Sequence, residues 1–325
     1  MFVGHSLLAF AVVAAVARAT GVGPRRALAL GVISGAFAAV PDADMAYAVS
    51  GLVGVNADGV LAVTGAFWSA STVVHRSMTH SLVVAPVAAA AFACFAWRGR
   101  AARPVAALGF AVLVATTWYA TSLHGALGLV VFGAFAISGV AVAVAAREFT
   151  TVDARSTFAL ALFGLASHPW GDLFTGEAPA MLWPLDASLL GTRVVLSGDA
   201  TMHLLGAFAI ELAVIALAVV VYATLTDRPL DVDRRSVVGV AYGAVVLAIP
   251  APTLELSYPF VFSILAVGIL STTPHLYRAR VADGGTNPAA TIEIDVDQVL
   301  EGVATGLTAV AFALLAYAVS YAIAV

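Results

Sequence analysis

The chain has 325 residues, 62% of them hydrophobic and 10% charged, with a formal net charge of −4 and a mean hydropathy of +1.00. A soluble domain carries about 45–50% apolar and about 25% charged residues, so this composition excludes a soluble globular enzyme, a disordered chain, a disulfide scaffold and a basic nucleic-acid binder. The apolar runs are continuous rather than alternating, which excludes a β-barrel and leaves an all-α, polytopic transmembrane helix bundle.

A helix needs roughly 20 apolar residues to cross the hydrocarbon core, with about 17 as the lower limit. On that criterion spans are expected near 3–20, 24–41, 81–97, 104–122, 125–146, 155–171, 201–224, 236–253, 257–275 and 300–324, about ten in all. The first follows no basic segment and has no small-residue cleavage pattern, so it reads as a retained helix. Pro24 suits the first turn of the second, where its missing N–H costs nothing. Residues 50–65 are Gly-rich (Gly51, Gly54, Gly59, Gly65), and the short apolar stretch 60–74 is expected to be a re-entrant or interfacial helix. The polar stretch 283–298, with Glu293, Asp295 and Asp297 alternating with Ile and Val, reads as a solvated linker.

All fifteen basic residues are Arg, and thirteen of the nineteen acids are Asp. This usage, with its excess of Ala, Val and Gly, points to a GC-rich, high-salt source such as a halophilic archaeon. The single cysteine, Cys94, allows no disulfide within the chain. Arg18, Arg25 and Arg26 follow the first span, Arg98, Arg100 and Arg103 the third, and Arg147 and Arg155 the fifth. Arg228, Arg234 and Arg235 follow the seventh, and Arg278 and Arg280 the ninth. Cytoplasmic loops retain positive charge. The pattern therefore puts the N-terminus of a multi-pass plasma-membrane protein outside, provided that residues 42–80 make no net crossing.

The opposite face collects His5, Asp42, Asp44, His75, His80, His124, His168, Asp172, Asp199 and His203, six of the seven histidines in the chain. Asp and His at membrane depth are costly and mark function by default. Gly4-His5 opens the first helix. Pro41-Asp42-Ala43-Asp44 ends the second; acids two residues apart point to opposite sides of a helix but to one side of an extended segment, and Pro41 favours a break. Carboxylates held close repel unless a cation lies between them. In His75-Arg76-Ser77-Met78-Thr79-His80-Ser81 the two histidines are about 140° apart on a helical wheel. They converge if a helix begins between them, with Thr79 or Ser81 as its N-cap, and nearby hydroxyls can fix a ligand imidazole. In Ser167-His168-Pro169-Trp170-Gly171-Asp172, His168 and Asp172 share a face if the segment is helical, although Pro169 also suits a helix start. The Arg-free, Gly/Pro-broken run from Phe174 to Leu185 can dip into the headgroups as a lid or binding wall.

These segments offer seven nitrogen and oxygen ligands and no thiolate: His5, Asp42, Asp44, His75, His80, His168 and Asp172. Mixed imidazole and carboxylate ligation suits Zn, Mn or Fe better than Ca or Mg, and zinc is the first expectation. A catalytic zinc site has three protein ligands and an open position, so seven ligands allow two divalent ions, or one ion with a base and supporting groups.

The order His5, Asp42-x-Asp44, His75-Arg-x-x-Thr-His80-Ser and His168-Pro-x-x-Asp172, followed by Thr-x-Gly and Leu182-Trp183-Pro184, resembles the LexA-regulated, membrane-bound metal-dependent hydrolases of the YdjM type. The resemblance covers about residues 1–225. It implies an integral membrane hydrolase whose metal is held by these His and Asp residues; residues 226–325 carry no such motif and read from hydropathy and Arg placement as additional C-terminal spans around a cytoplasmic loop near 277–298. The same order is distantly similar to zinc-dependent phospholipase C, which implies phosphoester substrates. On this reading metal-activated water cleaves an ester or phosphoester of a lipid or envelope-linked substrate at the outer face. Asp44 is a ligand or the general base, and Arg76 either fixes an anionic phosphate or snorkels to the headgroups. Asp199 and His203 share a helix face and read as the start of the seventh span, with Asp at the positive dipole end. The rivals are an ion- or proton-coupled transporter and a non-catalytic membrane protein with a structural metal. Against the first, the polar groups cluster at span ends and no internal repeat is visible. Neither a basic patch nor aromatic-basic interleaving points to nucleic acid.

Overall fold

The computed structural model describes residues 3–53, 59–71, 76–254, 256–281 and 295–324. Every regular element among them is helical. The chain divides into two compact units, Met1–Val194 and Val195–Val325. The first contains α1 (Gly4–Ala19), α2 (Pro24–Ala39), α3 (Val60–Ser71), α4 (Val84–Phe95), α5 (Ala102–His124), α6 (Ala126–Phe149) and α7 (Ala154–Asp172), with 3-10 segments at Pro41–Leu52 and Met78–His80. The second contains α8 (Ala200–Thr226), α9 (Tyr258–Val281) and α10 (Val296–Ala324), with a 3-10 segment at Arg234–Leu247.

The described residues do not support about ten spans. Four of the described helices are long and apolar enough to cross a membrane: α5, α6, α8 and α10. A fifth is added if α2 and Pro41–Leu52, bent by about 40°, count as one broken span. The other apolar runs do form helices close to the expected positions, but most are short. At 1.5 Å per residue, the 16 residues of α1 or α2 reach about 24 Å and the 12 of α4 about 18 Å, against a hydrocarbon core of about 30 Å. α7 has 19 residues but carries Arg155, Ser156, Ser167, His168 and Asp172. The expected span at 236–253 is a 3-10 segment that ends at Leu247. The expected re-entrant or interfacial stretch contains α3, which packs on Pro41–Leu52 where Gly51 meets the backbone at Ala66.

Small residues set the packing of the first unit. A side chain at Gly31 or Gly35 of α2 would strike the Phe10 or Ser6 carbonyl of α1, so this Gly-x-x-x-Gly face lets the two backbones touch. Gly164 of α7 lies in the same way against Ser34, Phe37 and Ala38 of α2, and Ser34 Oγ donates to the Leu160 carbonyl at 3.1 Å. A core of Phe37, Phe92, Phe132 and Phe135, with the Phe92 ring seated over Gly139, ties α2 and α4 to α6. Asp153 caps α7 by accepting from the Ser156 N–H at 2.9 Å. In the second unit Tyr242, Phe260, Ile264 and Tyr317 form the core, and Gly239 and Gly243 bring Arg234–Leu247 onto the α10 backbone.

Candidate metal centre

Four segments of the first unit converge on one buried spot. α1 brings His5 from its first turn. α2 delivers the chain to Pro41–Leu52, where three residues per turn set Asp42 and Asp44 about 120° apart. Asp42 therefore faces the histidines, whereas Asp44 lies behind His80. The Met78–His80 turn supplies His80, and Ser81 Oγ accepts from the Val83 and Val84 N–H groups at the start of α4. His168 and Asp172 lie in the last turns of α7, with Pro169 inside the helix rather than at a start.

Hydrogen bonds fix the tautomers. His168 Nδ1 lies 2.6 Å from the Ala38 carbonyl and must donate to it, which leaves the Nε2 lone pair facing inward. Thr79 has one hydroxyl hydrogen, and it goes to Asp44 Oδ2 at 3.0 Å. The contact of 2.9 Å between Thr79 Oγ1 and His80 Nδ1 then requires the imidazole to donate. His80 Nε2 therefore also presents a lone pair. The chain Asp44–Thr79–His80 and the pair Ala38–His168 are the outer contacts that ligand imidazoles ordinarily have.

The inner atoms form a compact polyhedron. His80 Nε2 and His168 Nε2 are 3.1 Å apart, and Asp172 Oδ2 lies 3.2 Å from the first and 3.7 Å from the second. Asp42 Oδ1 is 3.4 Å from His168 Nε2 and 3.9 Å from His80 Nε2. A tetrahedron with metal–nitrogen bonds of about 2.05 Å has edges of about 3.3 Å. With both imidazoles neutral, these distances set the lone pairs of two nitrogens and a carboxylate facing one another. Asp172 Oδ2 is buried and has no hydrogen-bond donor. A cation resolves that conflict, and the donor set fits a divalent ion. Among the described residues two groups meet the geometry for an ion: His80–His168–Asp172 and His5–Asp42–His168.

His5 Nε2 is 3.2 Å from Asp172 Oδ1, and its ring lies 3.9 Å from that of His168. The Arg76 side chain is 14% exposed and turned towards Asp172. Its Nη2 reaches Asp172 Oδ1 at 3.5 Å and Thr175 Oγ1 at 2.9 Å, and its Nη1 donates to the Thr175 and Glu177 carbonyls. The guanidinium occupies the space that a side chain at Gly176 would need. Arg76 holds a φ of 68°, a strained value for a non-glycine residue, beside the centre. Asp42, at 15% side-chain exposure, is the accessible member of the set, whereas His80, His168 and Asp172 are at 1% or less.

Of the seven ligands expected from sequence, the structure gathers His5, Asp42, His80, His168 and Asp172. Asp44 falls outside both groups and acts on His80 through Thr79. His75 lies outside the described residues. Asp199 caps α8 by accepting from the Met202 N–H at 2.7 Å, and His203 Nδ1 accepts from the Leu196 N–H at 3.1 Å. The Ala38 carbonyl was not anticipated, because a backbone acceptor has no signature in a sequence. A family model described as YdjM inner membrane protein matches residues 1–229. No curated protein and no solved structure matches the chain.

Proposed function

The chain belongs to the YdjM inner membrane protein family, and from that premise we propose that it is a metal-dependent hydrolase of an ester or phosphoester in a lipid or envelope-linked substrate. One observation carries the reading: His80 Nε2 and His168 Nε2 converge on one buried Asp172 oxygen, at 3.2 and 3.7 Å. Zinc suits these edges and donors best, and manganese or iron takes the same ligands. A divalent ion bound here lowers the pKa of water from about 15.7 towards 7 and polarises an ester oxygen.

The chain's own residues divide the remaining work. His80, His168 and Asp172 would hold the ion, and the more exposed Asp42 would face water and substrate. Asp42 takes the proton of the attacking water. Asp44 keeps His80 in its ligand tautomer. Arg76 holds Asp172 and the 175–177 backbone, and its buried Nε–H has no acceptor of its own and is the donor left for an anionic oxygen.

The burial of His80, His168 and Asp172 favours a second reading, a closed structural metal with Asp42 as fourth ligand. Full-length protein purified in detergent separates the two. Under the hydrolase reading it carries stoichiometric metal and releases phosphate or a headgroup from lipid, chelation stops release, and Asp42→Asn keeps the metal but loses turnover. Stoichiometric metal with no lipid turnover, together with a collapse of Tm on chelation, selects the structural reading.

A further inference from the structure

α5 and α6 are joined through Gly125, which turns the chain at a φ of 63°. An open groove of about 520 Å3 runs between these two membrane-spanning helices and ends at Phe95 of α4. Its walls are apolar, with Leu113, Val114, Leu129 and Ile137 among them. Gly133 leaves the floor open, since a Cβ there would meet nothing within 4 Å. From Phe110 to Thr121 the α5 wall rises about 16 Å, close to the ~15 Å of one leaflet of hydrocarbon. Its apolar walls and its one-leaflet length match a hydrocarbon chain of a lipid.

One end of the groove lies at Trp118 and Thr121, beside Tyr119 and His124. There the Trp183 ring packs 5.9 Å from Tyr119 and 6.1 Å from His124, and its Nε1 donates to His124 Nε2 at 3.3 Å. The Trp183 carbonyl accepts from Ser81 Oγ, and Ser81 is the residue after the ligand His80. The Leu82 N–H donates to the Met181 carbonyl at 2.8 Å. One short strip of chain therefore links the end of the groove to the His/Asp centre. Trp and Tyr at the end of a span belong at headgroup level, which is where the glycerol of a lipid lies.

We infer that the groove between α5 and α6 seats one acyl chain of the lipid substrate, with the headgroup carried past Trp183 to the His/Asp centre. The inference rests on the hydrolase reading for its chemistry, and it names the substrate class as membrane-resident acyl lipid. Two measurements on the full-length protein test it. The first uses vesicles of diacyl phosphatidylglycerol with a photoreactive acyl chain, and mass spectrometry maps the label. The second compares turnover of that lipid with turnover of a water-soluble phosphodiester that has no acyl chain.

The expected label falls on the groove faces of α5 and α6 and is lost in Gly133→Trp and Val114→Trp. Both variants raise KM for the long-chain lipid by about tenfold, the equivalent of two buried methylenes. They leave metal content and turnover of the soluble diester unchanged. Ala213→Trp in the separate α8–α10 groove, the control, alters neither substrate. Turnover of the lipid with label that ignores both variants overturns the groove assignment. Label in the groove without turnover of either substrate overturns the hydrolase reading and leaves the acyl site standing.

Discussion

Thr79→Val tests the centre without touching a ligand. Valine has nearly the shape of threonine, so what is lost is one hydroxyl. That hydroxyl donates to Asp44 at 3.0 Å and accepts from His80 at 2.9 Å, and all three residues are buried. Removing a partner from a buried polar group costs about 1–3 kcal/mol. Part of that cost falls on the orientation of the His80 ring, which is no longer held with Nε2 towards Asp172. Loss of an outer contact to a ligand imidazole typically weakens metal binding by about 10–100-fold, or about 1.4–2.7 kcal/mol, which agrees with the cost of the hydrogen bond. The assay is competition for zinc between the purified protein and a chromophoric chelator, with Thr79→Ser beside it. The serine variant restores the hydroxyl and is expected to bind within about threefold of the parent. Equal zinc affinity in the valine variant and the parent would refute the assigned tautomer and the Asp44–Thr79–His80 chain with it.

Gly164→Ala should disturb the metal from a distance. The new Cβ would lie 2.6 Å from the Ser34 carbonyl oxygen and 2.8 Å from the Ala38 nitrogen, so α7 must back away from α2. Overpacking of this kind costs about 1–3 kcal/mol, and it stretches the His168–Ala38 contact on the next turn. A lower Tm together with weaker zinc binding is expected, and full affinity at an unchanged Tm would contradict the coupling. Metal affinity should also depend on pH in one direction. His80 and His168 must both be unprotonated at Nε2, so protons compete with the ion and affinity falls as the pH drops through the imidazole range. Above that range it levels off. Isothermal titration in buffers of different ionisation heat should show protons released on zinc binding at pH 6, and a flat affinity between pH 5 and 8 would exclude a two-imidazole site.

The sequence made the site more legible than the membrane topology. Asp and His are rare in an apolar chain, so each one drew attention, and five of the seven expected ligands do meet. What the sequence hides is which polar groups bind and which support. Asp42 and Asp44 look equivalent until the 3-10 geometry turns them apart. Arg76 gives no sign in the sequence that one edge of its guanidinium is held by Asp172 and Thr175. The structure supports fewer spans than the apolar runs suggest, because apolar composition has two causes. In α5, α6, α8 and α10 it answers to lipid. In α1, α2 and α4 it answers to neighbouring helices, through residues such as Gly31, Gly35 and Phe92 that are buried against protein. A hydropathy window cannot separate these cases, although helix length does so once the ends are known.

His168 belongs to both of the residue groups able to hold an ion, and it joins each through the same nitrogen, because Nδ1 is spent on the Ala38 carbonyl. A nitrogen has a single electron pair to donate. The two groups are thus overlapping berths for one cation, with His168 as the pivot and either Asp42 and His5 or Asp172 and His80 closing around it. Simultaneous loading of both berths would require one of them to dispense with His168 and a carboxylate to span the pair.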